Sequence, residues 1–328
     1  MRAGTGRWAA GAAVDVSLLA GVGAASLTLA VAGGSALRYR RWVDRMRRVR
    51  VAYDYQAPGP TETWGPLQAR VHGTGSPVLL LHGLAASSRS WGAGYDTLAD
   101  RHRLVVPDLL GFGRSAGRGR GHGLEAQADA LAETLEAAGA AVEPAVVAAH
   151  SYGSCVALAL ARRHPRLVRG IVAVSPPLYP DSVRARECML RALTALERAM
   201  AMDTVWARHV CTSLCMRRPR LAAWLARTLR PELPVEVAVD GVAHTWASYS
   251  ESLAELLAAR ARAEWAEELG IRLAVLSGDR DRLPDVDYLR ALAERTPLVT
   301  LEMAPDADHL PLMSHRTRVL ELVEELAA

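Results

Sequence analysis

Lysine is absent from this chain of 328 residues, because all 39 basic residues are arginine, and phenylalanine occurs once, at Phe112. No particular chemistry requires either feature, so we interpret both as compositional bias. Cysteine is also scarce, with four residues, which excludes a scaffold built on disulfide bonds. Cys211 and Cys215 are four positions apart, but no two further ligands lie nearby in the sequence, so packing is favoured over a metal site. The sequence predicts neither a metal nor a cofactor.

Most of the chain also lacks a surplus of positive charge. The net charge is +4, but residues 1–50 hold nine arginines against two acidic residues, and the other 278 residues hold 30 arginines against 33 acidic residues. A nucleic-acid-binding protein would carry basic charge on its folded body, so no nucleic-acid partner is predicted. With 50% hydrophobic and 23% charged residues, the composition is that of a globular protein and excludes a disordered chain.

One uncharged stretch of 22 residues, from Val16 to Leu37, is long enough to cross a bilayer as a helix. Seven arginines follow within residues 38–50, and the positive-inside rule then places the rest of the chain in the cytoplasm. The sequence therefore predicts a membrane anchor at residues 16–37. Two alternatives remain: a signal peptide cleaved after Ala30-Val31-Ala32, with the protein secreted, and an alanine-rich helix of a soluble cytoplasmic protein.

Short apolar runs alternate with helical patterns after residue 50. The runs predict buried strands and the intervening stretches predict helices, which together indicate an α/β domain with a mostly parallel sheet. An antiparallel hairpin is expected within 51–72. Residues 176–269 contain no strong strand and predict a helical cap inserted into the domain. The predicted organisation is thus an N-terminal segment (1–50), a core (51–175 and 270–328) and a cap (176–269). The predicted strands are 77–81, 104–106, 145–149, 170–174, 271–276 and 298–301, and the predicted helices of the core are 123–138, 152–164, 285–295 and 314–327.

A serine follows the third of these apolar runs, in Ala149-His150-Ser151-Tyr152-Gly153. Small residues two before and two after a serine are typical of a sharp strand-to-helix turn that exposes a nucleophilic hydroxyl. The helix that begins after Ser151 would direct its dipole and the N–H of Tyr152 towards developing negative charge.

Two further motifs accompany this turn. Leu81-His82-Gly83-Leu84 follows the first apolar run, and Pro107-Asp108-Leu109-Leu110-Gly111-Phe112-Gly113-Arg114-Ser115 follows the second. With these motifs the chain resembles the α/β-hydrolase superfamily from about Leu67 to its C-terminus. That resemblance implies a nucleophilic serine, an acid after a later strand and a histidine near the end, in this order. It also implies that His82 is structural, and we expect His150 to pack beneath the nucleophile.

The resemblance selects the other two members of a catalytic triad. In the family the acid usually stands three residues after a glycine such as Gly278, which selects Asp281, with Asp279 as the competitor. His309 lies on the loop where the family places its base, whereas His315 lies within a helical pattern. The oxyanion would be bound by the backbone N–H groups of Leu84 and Tyr152.

The predicted function is hydrolysis of a carboxylic ester through an acyl-enzyme on Ser151, and the predicted partner is a small-molecule ester, with a lipophilic ester as one candidate. Two alternatives stay open: another serine-based reaction on this fold (cleavage of a carbon–carbon bond or a thioester, or a perhydrolase), and a non-catalytic, membrane-tethered binding protein. Aromatic residues of the cap could line an acyl pocket, but their helical spacing favours a place in the core. They are Trp206, Trp224, His244, Trp246 and Tyr249.

Overall fold

The computed structural model of the chain describes residues 40–41, 53, 55–193, 198, 204–229 and 233–328. The chain divides into two compact units, residues 1–49 and 50–328, and the strands and helices from residue 62 onward belong to the second. Within the described residues no helix is both long and apolar enough to cross a bilayer. The segment proposed as an anchor, 16–37, lies outside the described residues, so that hypothesis stays a prediction.

An eight-stranded sheet forms the centre of the larger unit, with the order β1-β2-β4-β3-β5-β6-β7-β8. β1 and β2 form an antiparallel hairpin at one edge, inside the range predicted for it, and the other neighbours from β3 to β8 pair in parallel. β2 joins the rest by an antiparallel pairing with β4. The strands are β1 (Glu62–Trp64), β2 (Leu67–His72), β3 (Ser76–Leu81), β4 (His102–Asp108), β5 (Ala145–His150), β6 (Val168–Val174), β7 (Arg272–Gly278) and β8 (Val299–Ala304).

Helices cover both faces of this sheet, because the central strands are apolar on both sides. Val147 and Ala149 of β5 belong to one buried cluster, together with residues of α1 (Leu124–Ala137) and α2 (Tyr152–Arg163). Alternate residues of β5 belong to a second cluster on the opposite face, which α11 (Arg316–Ala327) covers. Successive side chains of a strand point to opposite faces, and a sheet buried on both faces therefore requires continuous apolar runs.

The described residues between β6 and β7 are helical, in agreement with the absence of strand patterns there. Short 3-10 helices lie at Ser88–Trp91 and Ala93–Asp100 after β3, at Gly113–Ser115 after β4 and at Pro165–Leu167 before β6, and α-helices lie on either side of β8. The helices between β6 and β7 are α3 (Ser182–Ala192), α4 (Val205–Val210), a π-helical turn (Cys211–Met216), α5 (Pro219–Leu229), α6 (Val235–Asp240), α7 (Trp246–Leu257) and α8 (Trp265–Glu268), and those around β8 are α9 (Val286–Arg295) and α10 (Pro311–Ser314). The limits of the cap at 176 and 269 stay a prediction.

The helical region is fastened to the loop that follows β4. The Gly113 N–H donates to the carbonyl of Ala243 at 2.9 Å, and the Ser248 hydroxyl of α7 donates to the carbonyl of Gly111 at 2.9 Å. Gly111 has a φ of +81°, and a Cβ there would overlap the side chains of Ser248 and His122. Only glycine allows this close approach, which explains why glycine occupies position 111 in the loop after β4.

Candidate active site

Ser151 occupies a strained turn between β5 and α2. Its φ is 50° and its ψ is −125°, a conformation that costs a non-glycine residue of the order of 1–3 kcal/mol and persists only where the surroundings enforce it. The Ser151 N–H donates to Val174 of β6 at 2.9 Å. Gly153 allows α2 to begin against β3, because a Cβ there would lie 2.6 Å from the carbonyl oxygen of His82. The strand order and this glycine together hold the hydroxyl at the carboxyl edge of the sheet.

The structure brings the three side chains of the predicted triad together. Ser151 Oγ and His309 Nε2 are 3.0 Å apart, and His309 Nδ1 and Asp281 Oδ2 are 2.7 Å apart. The Asp281 side chain is only 3% exposed. Asp279, the competitor, is exposed, and its N–H donates to Ala304 of β8. Among the described contacts, it is Asp281 and not Asp279 that bonds to His309.

Two neighbouring loops carry the acid and the histidine. Asp281 follows β7 and His309 follows β8, and the Arg280 N–H donates to the carbonyl of Ala307 at 3.0 Å. A Cβ on Gly278 would overlap the carbonyl oxygens of Ala307 and Asp308. This close backbone approach fixes the Asp281–His309 pair before any substrate binds.

The Asp281 carboxyl is held in its ionised form. Burial alone would raise its pKa, but the charge of His309 and hydrogen bonds from His309 and from the Leu283 N–H outweigh burial, so that the pKa lies below its ordinary value. An ionised carboxylate beside Nδ1 keeps the proton on that nitrogen. Nε2, which faces Ser151, is then free to accept a proton.

Two backbone N–H groups near Ser151 make no hydrogen bond within the described part of the chain: those of Leu84 and Tyr152. Tyr152 is the first residue of α2, so its N–H has no partner one turn earlier in the helix. Leu84 lines the cavity that contains Ser151. The two donors predicted for an oxyanion therefore remain available.

His82 supports the loop that carries Leu84. Its Nε2 accepts from the Leu109 N–H at 2.9 Å, and its Nδ1 donates to the carbonyl of Gly83 at 2.8 Å. Burial lowers the pKa of the His82 imidazole, which agrees with a neutral ring that both donates and accepts. These contacts agree with the structural role expected of His82.

His150 makes a contact that the sequence did not indicate. Its Nε2 donates to the backbone carbonyl of His309 at 2.8 Å, and the two rings lie 5.1 Å apart. Burial and the neighbouring His309 lower the pKa of His150 to about 3, so the ring is neutral at physiological pH. His150 thus joins the residue before the serine to the loop of the histidine, and no local pattern signals a bond between residues 159 positions apart.

A second group of contacts, those of Asp240, could not be predicted from the sequence because its members are also far apart in the chain. The Ser87 hydroxyl donates to Asp240 Oδ2 at 2.7 Å, and Arg89 Nε lies 3.6 Å from the same oxygen. Asp240 ends α6, whereas Ser87 precedes the first 3-10 helix after Leu84. The helical region is therefore tied directly to the loop that carries Leu84.

A cavity of about 330 Å³ opens onto Ser151 and His309. Small aliphatic side chains from the Leu84 loop, from α5 and α6, and from α10 form most of its wall, and none of the lining residues that the structure describes is an arginine, aspartate or glutamate. A larger hollow of about 820 Å³ lies between α1, α2 and α8 and contains none of the predicted site residues. The lining residues of the smaller cavity include Leu84, Ala85, Ala86, Ala226, Leu233, Val237, Ala238, Val242, Leu310 and Met313.

The other residues that the sequence suggested for the site, His315 and the aromatic residues of the helical region, lie outside the cavity at Ser151. His315 bonds to the neighbouring Ser314 hydroxyl at 2.9 Å and does not line the cavity. Within the described residues, no three His, Cys, Asp or Glu side chains are grouped as metal ligands would be. The aromatic residues of the helical region do not line the cavity either, and the expectation that they are core residues is wrong for two of them: Trp206 and Trp224 are 51% and 57% exposed.

Comparison with known proteins identifies the architecture. Residues 76–316 match the family model described as alpha/beta hydrolase fold. The chain is 25% identical over 259 residues to the probable lysophospholipase BODYGUARD 4 of Arabidopsis thaliana; this match covers 73% of the chain but only 61% of the relative. A solved esterase from Thermogutta terrifontis is 25% identical, with a TM-score of 0.54 over 82% of this chain and 97% of that one. E-2-(acetamidomethylene)succinate hydrolase, at 18% identity and a TM-score of 0.58 over 80% of this chain and 94% of that one, supports the fold alone. The predicted fold is confirmed.

Proposed function

The chain belongs to the α/β-hydrolase family, and from this premise we propose that it hydrolyses carboxylic esters through a covalent acyl-enzyme on Ser151. One observation carries the proposal: the unbroken line of hydrogen bonds from Ser151 Oγ through His309 to Asp281, at 3.0 and 2.7 Å. A serine hydroxyl is a weak nucleophile at neutral pH unless a base removes its proton. The arrangement supplies that base and its orienting acid.

In the proposed reaction, Ser151 Oγ attacks the ester carbonyl carbon while His309 Nε2 takes the hydroxyl proton. The ionised Asp281 stabilises the imidazolium that results. The carbonyl oxygen becomes an oxyanion, which accepts hydrogen bonds from the N–H groups of Leu84 and Tyr152, and each such donor contributes about 3 kcal/mol to the transition state. The dipole of α2 adds to this stabilisation because the helix begins at Tyr152.

Collapse of this intermediate breaks the ester bond. His309 donates its proton to the departing alkoxide, which leaves as an alcohol, and the acyl group stays on Ser151. Water then attacks the acyl-enzyme, giving up its proton to His309, and the second tetrahedral intermediate releases the carboxylic acid and the serine hydroxyl.

The cavity wall supports an uncharged, apolar acyl group as the part of the substrate that binds beside Ser151. Aliphatic side chains form most of it, and within the described part of the wall the titratable side chains are those of His150 and His309. A charged acyl group would lose its hydration there without gaining a partner. An esterase among the structural neighbours and a probable lysophospholipase among the relatives agree with an ester substrate.

A fluorophosphonate probe tests the acyl-enzyme. It reacts with an activated serine, so we expect stoichiometric labelling at Ser151, found by peptide mass spectrometry, and loss of both labelling and ester turnover in Ser151→Ala. A folded protein that is not labelled at Ser151 would instead indicate a non-catalytic binding protein. A labelled protein that cleaves thioesters or carbon–carbon bonds but no carboxylic ester would keep the nucleophile and reject the substrate class.

Paired variants test the acid and the base. We expect Asp281→Asn to lower kcat about ten-thousandfold, because an amide cannot hold the productive tautomer of His309, whereas Asp279→Asn should leave kcat within about twofold. His309→Ala should likewise lose orders of magnitude, and His315→Ala should not. Kinetics on a short-chain nitrophenyl ester measure all four variants. Equal effects within either pair would refute the corresponding assignment.

A further inference from the structure

Exposed large apolar side chains are concentrated in one stretch of the helical region. Eight such side chains occur among the described residues, and five of them lie between residues 205 and 224, on α4, the π-helical turn and α5. Apolar groups grouped in this way, with polar neighbours, are typical of an interaction surface. The five are Val205 (89% exposed), Trp206 (51%), Met216 (48%), Leu221 (43%) and Trp224 (57%).

The same stretch is strongly basic. Residues 204–229 contain five arginines and no aspartate or glutamate, although the chain after residue 50 is slightly acidic as a whole. All five guanidinium groups belong to exposed residues, and none forms an ion pair with any described residue. By contrast, Arg184 and Arg318 are paired with carboxylates. We call the five apolar side chains and these arginines the Arg–Trp surface; the arginines are Arg208, Arg217, Arg218, Arg220 and Arg227.

α5 shows how this surface is oriented. Arg220, Leu221, Trp224 and Arg227 follow one another at the spacing of a single helix face, and all four are exposed. Ala226, on the other side of the helix, lines the cavity at Ser151. α5 therefore separates the part of the Arg–Trp surface that it carries from the cavity by the thickness of one helix.

We propose that the Arg–Trp surface binds the face of a lipid bilayer that carries anionic headgroups. Tryptophan is favoured at the depth of the headgroups because its ring is apolar with one polar N–H. Leucine, methionine and valine gain free energy when they leave water for the acyl boundary. Arginine places its apolar stem along the same boundary and its guanidinium among the phosphates. Each basic residue near an anionic surface strengthens binding about fivefold.

The composition of the surface favours a bilayer over a nucleic acid. Phosphate backbones would attract the arginines, but the aliphatic side chains of Val205, Met216 and Leu221 would gain nothing from them and would stay in water. A bilayer satisfies both kinds of group, since its surface is anionic and its interior is apolar. The surface is also independent of the hydrolytic step, so Ser151→Ala should bind vesicles as the parent chain does.

Flotation of the full chain with phospholipid vesicles tests the apolar part. We expect the parent chain to bind vesicles of phosphatidylcholine and phosphatidylserine more tightly than vesicles of phosphatidylcholine alone. The double variant Leu221→Ser, Trp224→Ser should bind the mixed vesicles at least about tenfold more weakly. Val142→Ser is the matched control, because Val142 is 81% exposed but precedes β5, at the end of the sheet opposite Ser151. Far-UV circular dichroism checks that each variant is folded.

A second series tests the charge. Arg217→Gln, Arg218→Gln and Arg220→Gln should each weaken binding to the mixed vesicles about fivefold and leave binding to pure phosphatidylcholine unchanged. Arg166→Gln, an exposed arginine that precedes β6, is the control and should have no effect. The proposal is overturned if the surface variants bind as the parent does, or if these variants abolish binding to RNA or self-association while vesicle binding is kept.

Quenching by brominated lipid locates the contact directly and does not depend on how the rest of the chain binds. All variants retain residues 1–50, so any binding by that segment is common to them. Bromine in the acyl chains should quench the tryptophan fluorescence of the parent chain, and the quenched fraction should fall in the Trp206→Phe, Trp224→Phe double variant. An equal quenched fraction in the two proteins would overturn the proposal even if both bind vesicles completely.

Discussion

At the scale of single residues, His150 is a side chain outside the proposed triad whose burial has a clear electrostatic consequence. It is buried, it precedes Ser151 and it bonds to the main chain of His309. Its pKa of about 3 in the folded protein lies well below the ordinary histidine value of about 6.5. The unfolded chain therefore binds a proton that the folded chain excludes at every pH between these two values.

This difference predicts how stability depends on pH. Because the unfolded state binds more protons from about pH 6.5 down to about pH 3, the free energy of unfolding should fall as the pH falls through this window, by up to about 1.4 kcal/mol per pH unit for one proton. His150→Gln keeps a donor for the His309 carbonyl but cannot titrate. The slope of its free energy of unfolding against pH should therefore be smaller than that of the parent by about 1 kcal/mol per pH unit. Urea unfolding at pH 6, 5 and 4 measures both slopes.

The control for this experiment is His72→Gln, at an exposed position that ends β2. It should have the slope of the parent. If His150→Gln and the parent lose stability in parallel, the ring at 150 is protonated in the folded protein and the proposed burial effect is absent.

Sequence alone led to some residues of the candidate site and not to others, for a physical reason. Ser151, Asp281 and His309 could be selected because each follows an apolar run at a spacing typical of the family. Two hydrogen bonds could not be predicted: the one from His150 to the His309 carbonyl and the one between Ser87 and Asp240. Each joins residues that are far apart in the chain, and no local sequence pattern indicates that they meet. The competition between Asp279 and Asp281 likewise had only a spacing to decide it before the 2.7 Å contact was seen.

At the scale of elements, the turn from β5 to α2 depends on Gly153. A Cβ at this position would lie 2.6 Å from the carbonyl oxygen of His82 and 2.8 Å from that of Leu81. Both are backbone atoms at the end of β3 and cannot rotate away. We expect Gly153→Ala to lower the free energy of unfolding by about 1–3 kcal/mol and to reduce ester turnover, because α2 must move and Ser151 moves with it. Chemical denaturation and kinetics measure the two effects.

Gly121→Ala is the matched control for that substitution. The nearest atom to a Cβ at 121 is the Cβ of Ala126 at 3.8 Å, an ordinary contact, and the residue has no positive φ. Its free energy of unfolding should stay within about 0.5 kcal/mol of the parent's. Equal effects at 121 and 153 would show that the contact between α2 and β3 does not limit the turn.

The elements themselves were predictable to different degrees. Buried strands β3 to β8 could be located because parallel strands read as continuous apolar runs. The helical region was recognisable from the absence of such runs, but its exposed Trp206 and Trp224 contradicted the rule that aromatic residues at helical spacing pack in a core. Periodicity reveals which residues share a helix face and not what covers that face, and so it misplaced these two.

At the scale of the whole molecule, the division of the chain into units 1–49 and 50–328 predicts which truncated chains should fold. The family match begins at residue 76 and both buried clusters lie after residue 66, so a chain that begins at residue 50 should fold and keep its ester turnover. A chain that begins at residue 57 loses the buried Tyr53 and the Tyr55 hydroxyl, which donates to the carbonyl of Arg89 at 3.1 Å. We expect the shorter chain to be about 3 kcal/mol less stable. Thermal and urea unfolding compare the two.

The full chain and the chain that begins at residue 50 together test the hypothesis of an anchor at residues 16–37. Alkaline extraction of membranes should leave the full chain in the pellet and release the chain that begins at residue 50, because only a spanning segment resists this treatment. A full chain that appears in the supernatant would contradict the anchor. A processed chain that begins after Ala32, found by N-terminal sequencing, would favour the signal peptide instead.

The backbone contact between the loops after β7 and β8 has a consequence for how activity would be lost. Gly278 allows these loops to touch, and the Arg280 N–H donates to the carbonyl of Ala307. We therefore expect the Asp281 carboxylate and the His309 imidazole to move together. Mild heating, or a substitution that loosens a neighbouring contact, would then separate His309 from Ser151 before it separates His309 from Asp281. A molecule inactivated in this way would keep the Nδ1 proton of His309 hydrogen-bonded to Asp281, so its activity would return as soon as Ser151 regained its position.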